Sequence, residues 1–527
     1  MFPLGPLLSI VILFACSCVA QPTLAQPTPA EPPLPPPPGA QVVAVTPAPS
    51  MYSEPSIAIN PVNPQQLVAA YQVNASIANS ADAGKTWTTA ENTAPDDYRR
   101  SGDVSVAYDN HGNAFLCYIA FDKLGTENYW ARGATRNGVF VRRSSDGGKS
   151  WDKDHAVVFA HNSDPGIPFE DKPYIVADTT HSKYAGNLYV GWTQWQLTKS
   201  VMLLSRSTDS GKTWSKPIEI STREGLPRDD NGAVEGFTGA VGADGTLYTA
   251  WCDITGVVLA VSRDGGRTFS PSRTILQTGP SSFSPVNVFR ANGFPEIGID
   301  PRGNKLYVTW SDFTNGDIDV FAASSSDRGK TWSPPMRVNN DALHNGLDQF
   351  FQWLAVDPTD GSVNILFCDR RADPDNRKYV MVLARSTDGA RTFQNYAWST
   401  KPSDPTDVFM GDYMGIAALG GRVYGAWPRT ALAEEWPGFE KPAVPAAQSN
   451  VKDAVPEAIG QAGSKDAKAA EQEETKATAQ VGKEEKEQKP AATAEAKPEG
   501  VEKVLTEGKG LVIEVGIADF SAGTAPR

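Results

Sequence analysis

The stretch STDSGKTW at 207–214 recurs as SADAGKTW at 80–87, SSDGGKSW at 144–151, SRDGGRTF at 262–269, SSDRGKTW at 325–332 and STDGARTF at 386–393. The copies lie 55 to 64 residues apart, and self-similarity at such a period marks a propeller or a solenoid. The residue types explain themselves as a hairpin turn. Asp82, Asp146, Asp209, Asp264, Asp327 and Asp388 are placed to accept backbone N–H groups. Gly84, Gly148, Gly211, Gly266 and Gly329 supply a position at positive φ, and the closing Trp or Phe packs beneath the turn. The sixth copy has Ala390 where the others have Gly, which predicts a strained or adjusted turn.

Around the turns runs a second repeat. EPSIAIN at 54, DVSVAYD at 103, KPYIVAD at 172, FTGAVGADG at 237, FPEIGID at 294, FQWLAVD at 351 and DYMGIAA at 412 each read as a short buried strand and a turn. A second strand follows each: LVAAY, AFLCYIAF, NLYVGW, LYTAW, KLYVTW, VNILF and VYGAW. Seven such pairs against six turns predict an all-β propeller of seven four-stranded blades over 41–430, with six blades as the alternative. QVVAV at 41 resembles the outer strands that follow the turns and has no partner of its own. The seventh blade is therefore expected to be closed by both chain ends, with 41–46 outermost and 410–428 as its inner two strands, which hides open edges. Its third strand is missing locally; LVIEVGIADF at 511, within 510–527, is the candidate returning strand.

The pattern S-x-D-x-G-x-[ST]-[WF] resembles the Asp box, or BNR repeat, of sialidases and their relatives, and the resemblance covers about 390 residues, 41–430. It implies a sialidase-like propeller. In that family three arginines hold the substrate carboxylate, a Tyr assisted by Glu is the nucleophile, and an Asp is the acid/base. Carried over, the catalytic candidates are Tyr413, Glu235 and Asp103, with Arg99, Arg100, Arg290, Arg370 and Arg371 as sources of positive charge. The first arginine belongs to an R-I-P motif whose place here reads SEPSIAIN, with Glu54. A carboxylate cannot do the work of a guanidinium that pairs with another carboxylate. The expected function is thus a glycan- or protein-binding module without sialidase chemistry. The alternative is an exo-acting glycoside hydrolase using the Tyr/Glu pair and the Asp.

Propeller topology predicts where such chemistry sits. Inner strands start, and second strands end, on one face, opposite the Asp boxes. The binding-rim candidates are Glu54, Asp171, Lys172, Arg290, Arg370, Arg371, Asp412 and Arg429, with Asp122, Asp253, Asp312 and Asp369 at strand ends. Convergent side chains on a scaffold rim are a usual place for function, although solvated loop charges look the same in a sequence.

Composition bounds the rest. A formal net charge of -13 disfavours nucleic acid and anionic membrane surfaces, which need a basic face. The five histidines show no metal-binding spacing, no G-x-S-x-G or phosphate loop is present, and neither metal nor cofactor is expected. Cys117, Cys252 and Cys368, an odd number on separate repeats, argue against a disulfide framework. MFPLGPLLSIVILFACSCVAQ reads as an export signal over 1–20, cleaved after Ala20 or Ala25, lipidated at Cys16, or retained as an anchor. Residues 21–40 form a Pro-rich linker. Residues 431–509, rich in Ala, Glu and Lys, cannot bury enough apolar surface and are expected to be disordered. A monomer, exported to the periplasm, the cell surface or the medium, is the resulting expectation.

Overall fold

The computed structural model describes residues 33–90, 94–96, 98–122, 136–161, 168–399, 401–432, 435 and 508–523. The expected export segment and the bulk of the expected disordered tail lie outside them. Seven antiparallel four-stranded sheets are arranged as the blades of a propeller. Blades 1 to 6 are formed by residues 53–90, 100–161, 169–219, 235–276, 296–337 and 349–397. The inner strands alternate with second strands such as Leu188–Trp195, which is buried along its whole length between neighbouring blades.

Blade 7 is built from three separate parts of the chain. Its inner strands are Gly415–Leu419 and Arg422–Leu432; Lys509–Asp519 is the third and Gln41–Ala44 the outermost. Leu511, Val512, Ile513 and Val515 of the third strand are fully buried. Trp427 faces Glu514 across the ladder, and Gln41 faces Ile517. Both ends of the described chain thereby complete one sheet, so the ring closes with every blade at four strands.

The six Asp turns share one geometry. In the third, Asp209 accepts the Thr213 N–H at 2.9 Å and the Thr213 hydroxyl at 2.6 Å, Gly211 N–H donates to Ser207 Oγ at 3.0 Å, and Trp214 Nε1 donates to the Gly211 carbonyl at 3.2 Å. Two successive residues, not one, are left-handed: Ser210 at φ 60° precedes Gly211 at φ 79°. Ala390 takes the glycine position at φ 64° and still donates to Ser386 Oγ at 2.9 Å. The sixth turn is therefore unadjusted and carries the strain of a Cβ in the left-handed region.

Candidate functional site

The ladder between the first two strands is interrupted by a bulge in five blades, between Ser53/Ser56, Gly102/Ser105, Asp171/Tyr174, Glu235/Thr238 and Phe350/Trp353. Inside each bulge one residue is left-handed: Glu54 (φ 53°), Asp103 (φ 46°), Lys172 (φ 47°), Gly236 (φ 79°) and Phe351 (φ 54°). Bulges re-aim side chains, and non-glycine residues held at positive φ concentrate where function requires the strain. Four of these five positions are not glycine, and three carry a charge-bearing group.

Those groups meet at the mouth of the channel. Lys172 donates to Asp412 and lies 3.6 Å from Glu235 Oε1. Arg290 grips Asp412 through two nitrogens, with Nε to Oδ1 at 2.6 Å, and its third nitrogen reaches Asp229 at 2.5 Å. Asn292 adds a bond to Asp412 Oδ1 at 2.9 Å. On the other side Gln72 bridges Glu54 at 2.7 Å and Asp103 at 3.2 Å, and Glu54 Oε1 accepts the Asp412 N–H at 3.1 Å. Asp171 accepts from Trp195 Nε1 at 2.8 Å and is hydrogen-bonded to Asp103. Six carboxyl groups thus share two cations, and every one of the eight is buried or nearly so.

Electrostatics sorts them. Burial alone would raise Asp412, but Lys172 and Arg290 outweigh it and hold its carboxyl well below the usual range. Burial, then the charge of Asp103 and the hydrogen bond to it, push Asp171 up to about 8. Asp103 is raised by burial and by Glu54, and Glu54 by burial and by Asp412. Glu235 and Asp229 are raised too, burial leading in both. Asp412 is therefore held ionised, and Asp171 carries the proton of a carboxyl–carboxylate pair with Asp103. The Tyr413 hydroxyl is raised by burial and then by Glu54, Asp103, Asp412 and Asp171, and its ring packs on Trp353 with centroids 5.8 Å apart.

Of the positions singled out in the sequence, the structure brings together Glu54, Asp103, Asp171, Lys172, Glu235, Arg290, Asp412 and Tyr413. Arg370, Arg371 and Arg429 are not part of the cluster. Arg370 is fully buried, stacks on Phe350 and donates to the Asn376 and Val286 carbonyls. Arg371 binds Asp369 and Asn340, and Arg429 binds Glu514 on the third strand of blade 7. Asp253 is engaged by Arg223 and Asp312 by Trp310. Among the described residues no group of three or more His, Cys, Asp or Glu is arranged to hold a metal ion. Sequence reasoning missed Gln72, Trp195, Asp229 and Asn292: the first two close second strands whose repeat was read without its final residue, and the other two sit in segments without a repeated signal.

Residues 139–404 match the family model described as the BNR repeat-like domain. The chain belongs to that family. This BNR repeat-like propeller is 32% identical over 218 residues to a sialidase of Bacteroides fragilis (strain YCH46), a match that spans 37% of the chain and only 37% of that relative. Among solved structures it is similar to the Hadza microbial sialidase Hz136, with 16% identity, TM-score 0.41 and coverage of 69% of this chain and 70% of the other. An α-L-arabinofuranosidase of Fusarium graminearum aligns with 13% identity, TM-score 0.44 and coverage of 66% and 97%. The family match establishes a sialidase-like BNR propeller.

Proposed function

We propose that the channel mouth is a carbohydrate site for neutral or cationic sugars, and that sialic acid is not its ligand. The observation that carries the reading is the engagement of both cations. Lys172 and Arg290 are held by Asp412, Asp229 and Glu235, so neither is available to a substrate carboxylate, and Glu54 occupies the place where the resemblance expects an arginine. With both cations already engaged, the narrow opening offers an anionic sugar no free counter-charge, whereas a neutral sugar needs none and a cationic one meets further carboxyl groups that it would draw towards the ionised form. The similarity to a protein named as a sialidase supports carbohydrate as the ligand class.

A second reading, hydrolysis of a glycoside, is favoured by the Asp103–Asp171 pair. Asp171, protonated near neutral pH, would give its proton to a leaving-group oxygen, as a general acid must. Tyr413 would then act with Glu54 or Asp103 as its base, since those carboxyls bear most on its hydroxyl. Glu235, which the resemblance pairs with Tyr413, faces Lys172, so this reading takes its base from Glu54 or Asp103.

The test is a panel of neutral, amino and sialylated oligosaccharides by calorimetry, together with chromogenic glycosides. Binding of neutral or amino sugars with background turnover of the sialoside is expected. Sialoside turnover that both Tyr413→Phe and Glu235→Gln abolish would overturn the proposal.

A further inference from the structure

One rung of the ladder between the first and second strands is equivalent in all seven blades: Ser56↔Ala70, Ser105↔Cys117, Tyr174↔Gly191, Thr238↔Ala250, Glu296↔Thr309, Trp353↔Leu366 and Gly415↔Ala426. Three of these residues staple neighbouring blades. Ser56 Oγ accepts the Val106 N–H at 3.1 Å, Ser105 Oγ the Ile175 N–H at 2.8 Å and Thr238 Oγ1 the Ile297 N–H at 3.2 Å. Glu296 stands in the same ring and staples nothing. It is buried, its Oε1 has no hydrogen-bond partner among the described residues, and burial is the one influence that raises its carboxyl. A buried polar atom left without a partner is costly and calls for an explanation.

Glu296 lines a cavity of about 30 Å³ in the channel, next to the carboxyl cluster and sharing Lys172 and Tyr413 with it. Aromatic rings of Tyr174, Phe237, Phe294, Trp353 and Tyr413 form much of the wall. We propose that this cavity is an ammonium subsite, taking the primary ammonium group of an amino sugar with Glu296 as its counter-ion and the five rings as its walls. The inference rests on the carbohydrate reading above and names the sugar class within it. The space suits about two waters, the size of an ammonium group and the carbon that bears it. Ring faces attract cations, and Lys172 already lies 5.6 Å from the centroid of Phe294. Lys172 itself cannot neutralise Glu296, because its ammonium is engaged by Asp412 and Glu235.

Binding has a proton signature. Burial raises the Glu296 carboxyl in the empty cavity, and an ammonium ion beside it favours the carboxylate, so entry of the ligand draws the carboxyl proton off to solvent. The titratable groups that line the same cavity are Lys172 and Tyr174 from the inner strand of blade 3 and Tyr413 ahead of that of blade 7. Blade 4 contributes Gly236, Phe237 and Thr238, and blade 6 contributes Trp353, none of which titrates.

The experiment is calorimetry on the full chain near pH 6 with methylammonium chloride, glucosamine, glucose and N-acetylglucosamine, in two buffers of different ionisation enthalpy. Glucosamine should bind about tenfold or more tighter than glucose or N-acetylglucosamine, and methylammonium should release about one proton per ion bound. Glu296→Gln should remove the proton release and most of the preference for the amine. Should that variant fail to fold, Trp353→Leu carries the affinity test, with a several-fold loss expected. Sugars that bind without preference for the amine would overturn this inference and leave the carbohydrate reading standing. Methylammonium binding with proton release while no sugar binds would support the subsite and sink the carbohydrate reading. Absence of binding by both methylammonium and glucosamine overturns the inference.

Discussion

Lys172 of blade 3 and Asp412, just ahead of the inner strand of blade 7, form an ion pair across the channel although 240 positions separate them in the chain. The pair ties two blades that are not neighbours in the ring. Lys172 also faces Glu235 of blade 4, and Arg290 grips Asp412 from the segment before blade 5.

Removing one partner should therefore be more harmful than removing both. Lys172→Met leaves Asp412 and Glu235 short of a buried counter-charge, for which a loss of about 3–5 kcal/mol is expected. Lys172→Met combined with Asp412→Asn should recover part of it. Urea unfolding of the two variants measures the difference; a double variant less stable than the single one by the full sum would show that the residues act independently.

The carboxyl pair gives stability a pH slope of defined sign. Asp171 is raised from the ordinary Asp range to about 8 in the folded protein, so the native state holds a proton that the unfolded chain releases. That contribution is complete below about pH 4 and is lost as pH rises towards 8, at no more than about 1.4 kcal/mol per pH unit for one proton. Asp171→Asn keeps a donor for Asp103 without the titration. The variant should be flatter than the wild type between pH 5 and 8 and relatively more stable at pH 8. Parallel melting profiles would refute the shared proton.

The Asp turns predict effects on folding that leave the channel untouched. Asp209→Ala unpairs the turn donors and should cost about 1–3 kcal/mol, with sugar affinity unchanged. Ala390→Gly relieves a side chain at φ 64° and should add about 1 kcal/mol. Asp82 and Asp264 are both lowered to about 2, through hydrogen bonds that outweigh the burial which opposes them. The stability they contribute is present above the usual carboxylate range and fades as pH falls from about 4 through 2. A denaturation midpoint that does not fall over that range would contradict the geometry.

Gly411 is the strictest position at the mouth. It lies at φ 91°, and a Cβ there would stand 2.1 Å from Glu54 Cγ. Gly411→Ala should destabilise by about 1–3 kcal/mol and displace Glu54 from the Asp412 N–H. Sugar binding should fall along with stability, whereas Asp209→Ala affects stability alone. Equal affinity in the two variants would remove Glu54 from the site.

Much of the architecture was legible because it is local. Each Asp turn is closed within eight residues, and each pair of inner and second strands within a short stretch, the longest running from Phe169 to Trp195, so one sequence window contains all the groups that define it. The seventh blade was legible for a related reason: QVVAV and LVIEVGIADF are apolar strands without local partners, and unsatisfied edges must meet. The second left-handed residue of each turn escaped notice, since Ala83, Ser210 and Arg328 bear no mark of positive φ.

The site divides along the same line. Glu54, Asp103, Lys172 and Asp412 were visible because the repeat phases them to the start of an inner strand. Asp229, Asn292 and Gln72 were not, since they lie outside that phase and reach the channel only through the loops and second strands that carry them. The role of Glu296 was equally hidden: FPEIGID reads like any other inner strand, and only the ring register shows that blade 5 has an acid where blades 1, 2 and 4 have a hydroxyl. By itself, then, the sequence determined a closed seven-bladed ring and the face on which its charges would gather, because turn chemistry and strand pairing act over short separations. That Asp412 is held ionised and Asp171 holds a proton, that Arg370, Arg371 and Arg429 stay out of the carboxyl cluster, and that Glu296 Oε1 meets no hydrogen-bond partner among the described residues were decided by the tertiary structure alone, because burial and the distances between blades set those energies.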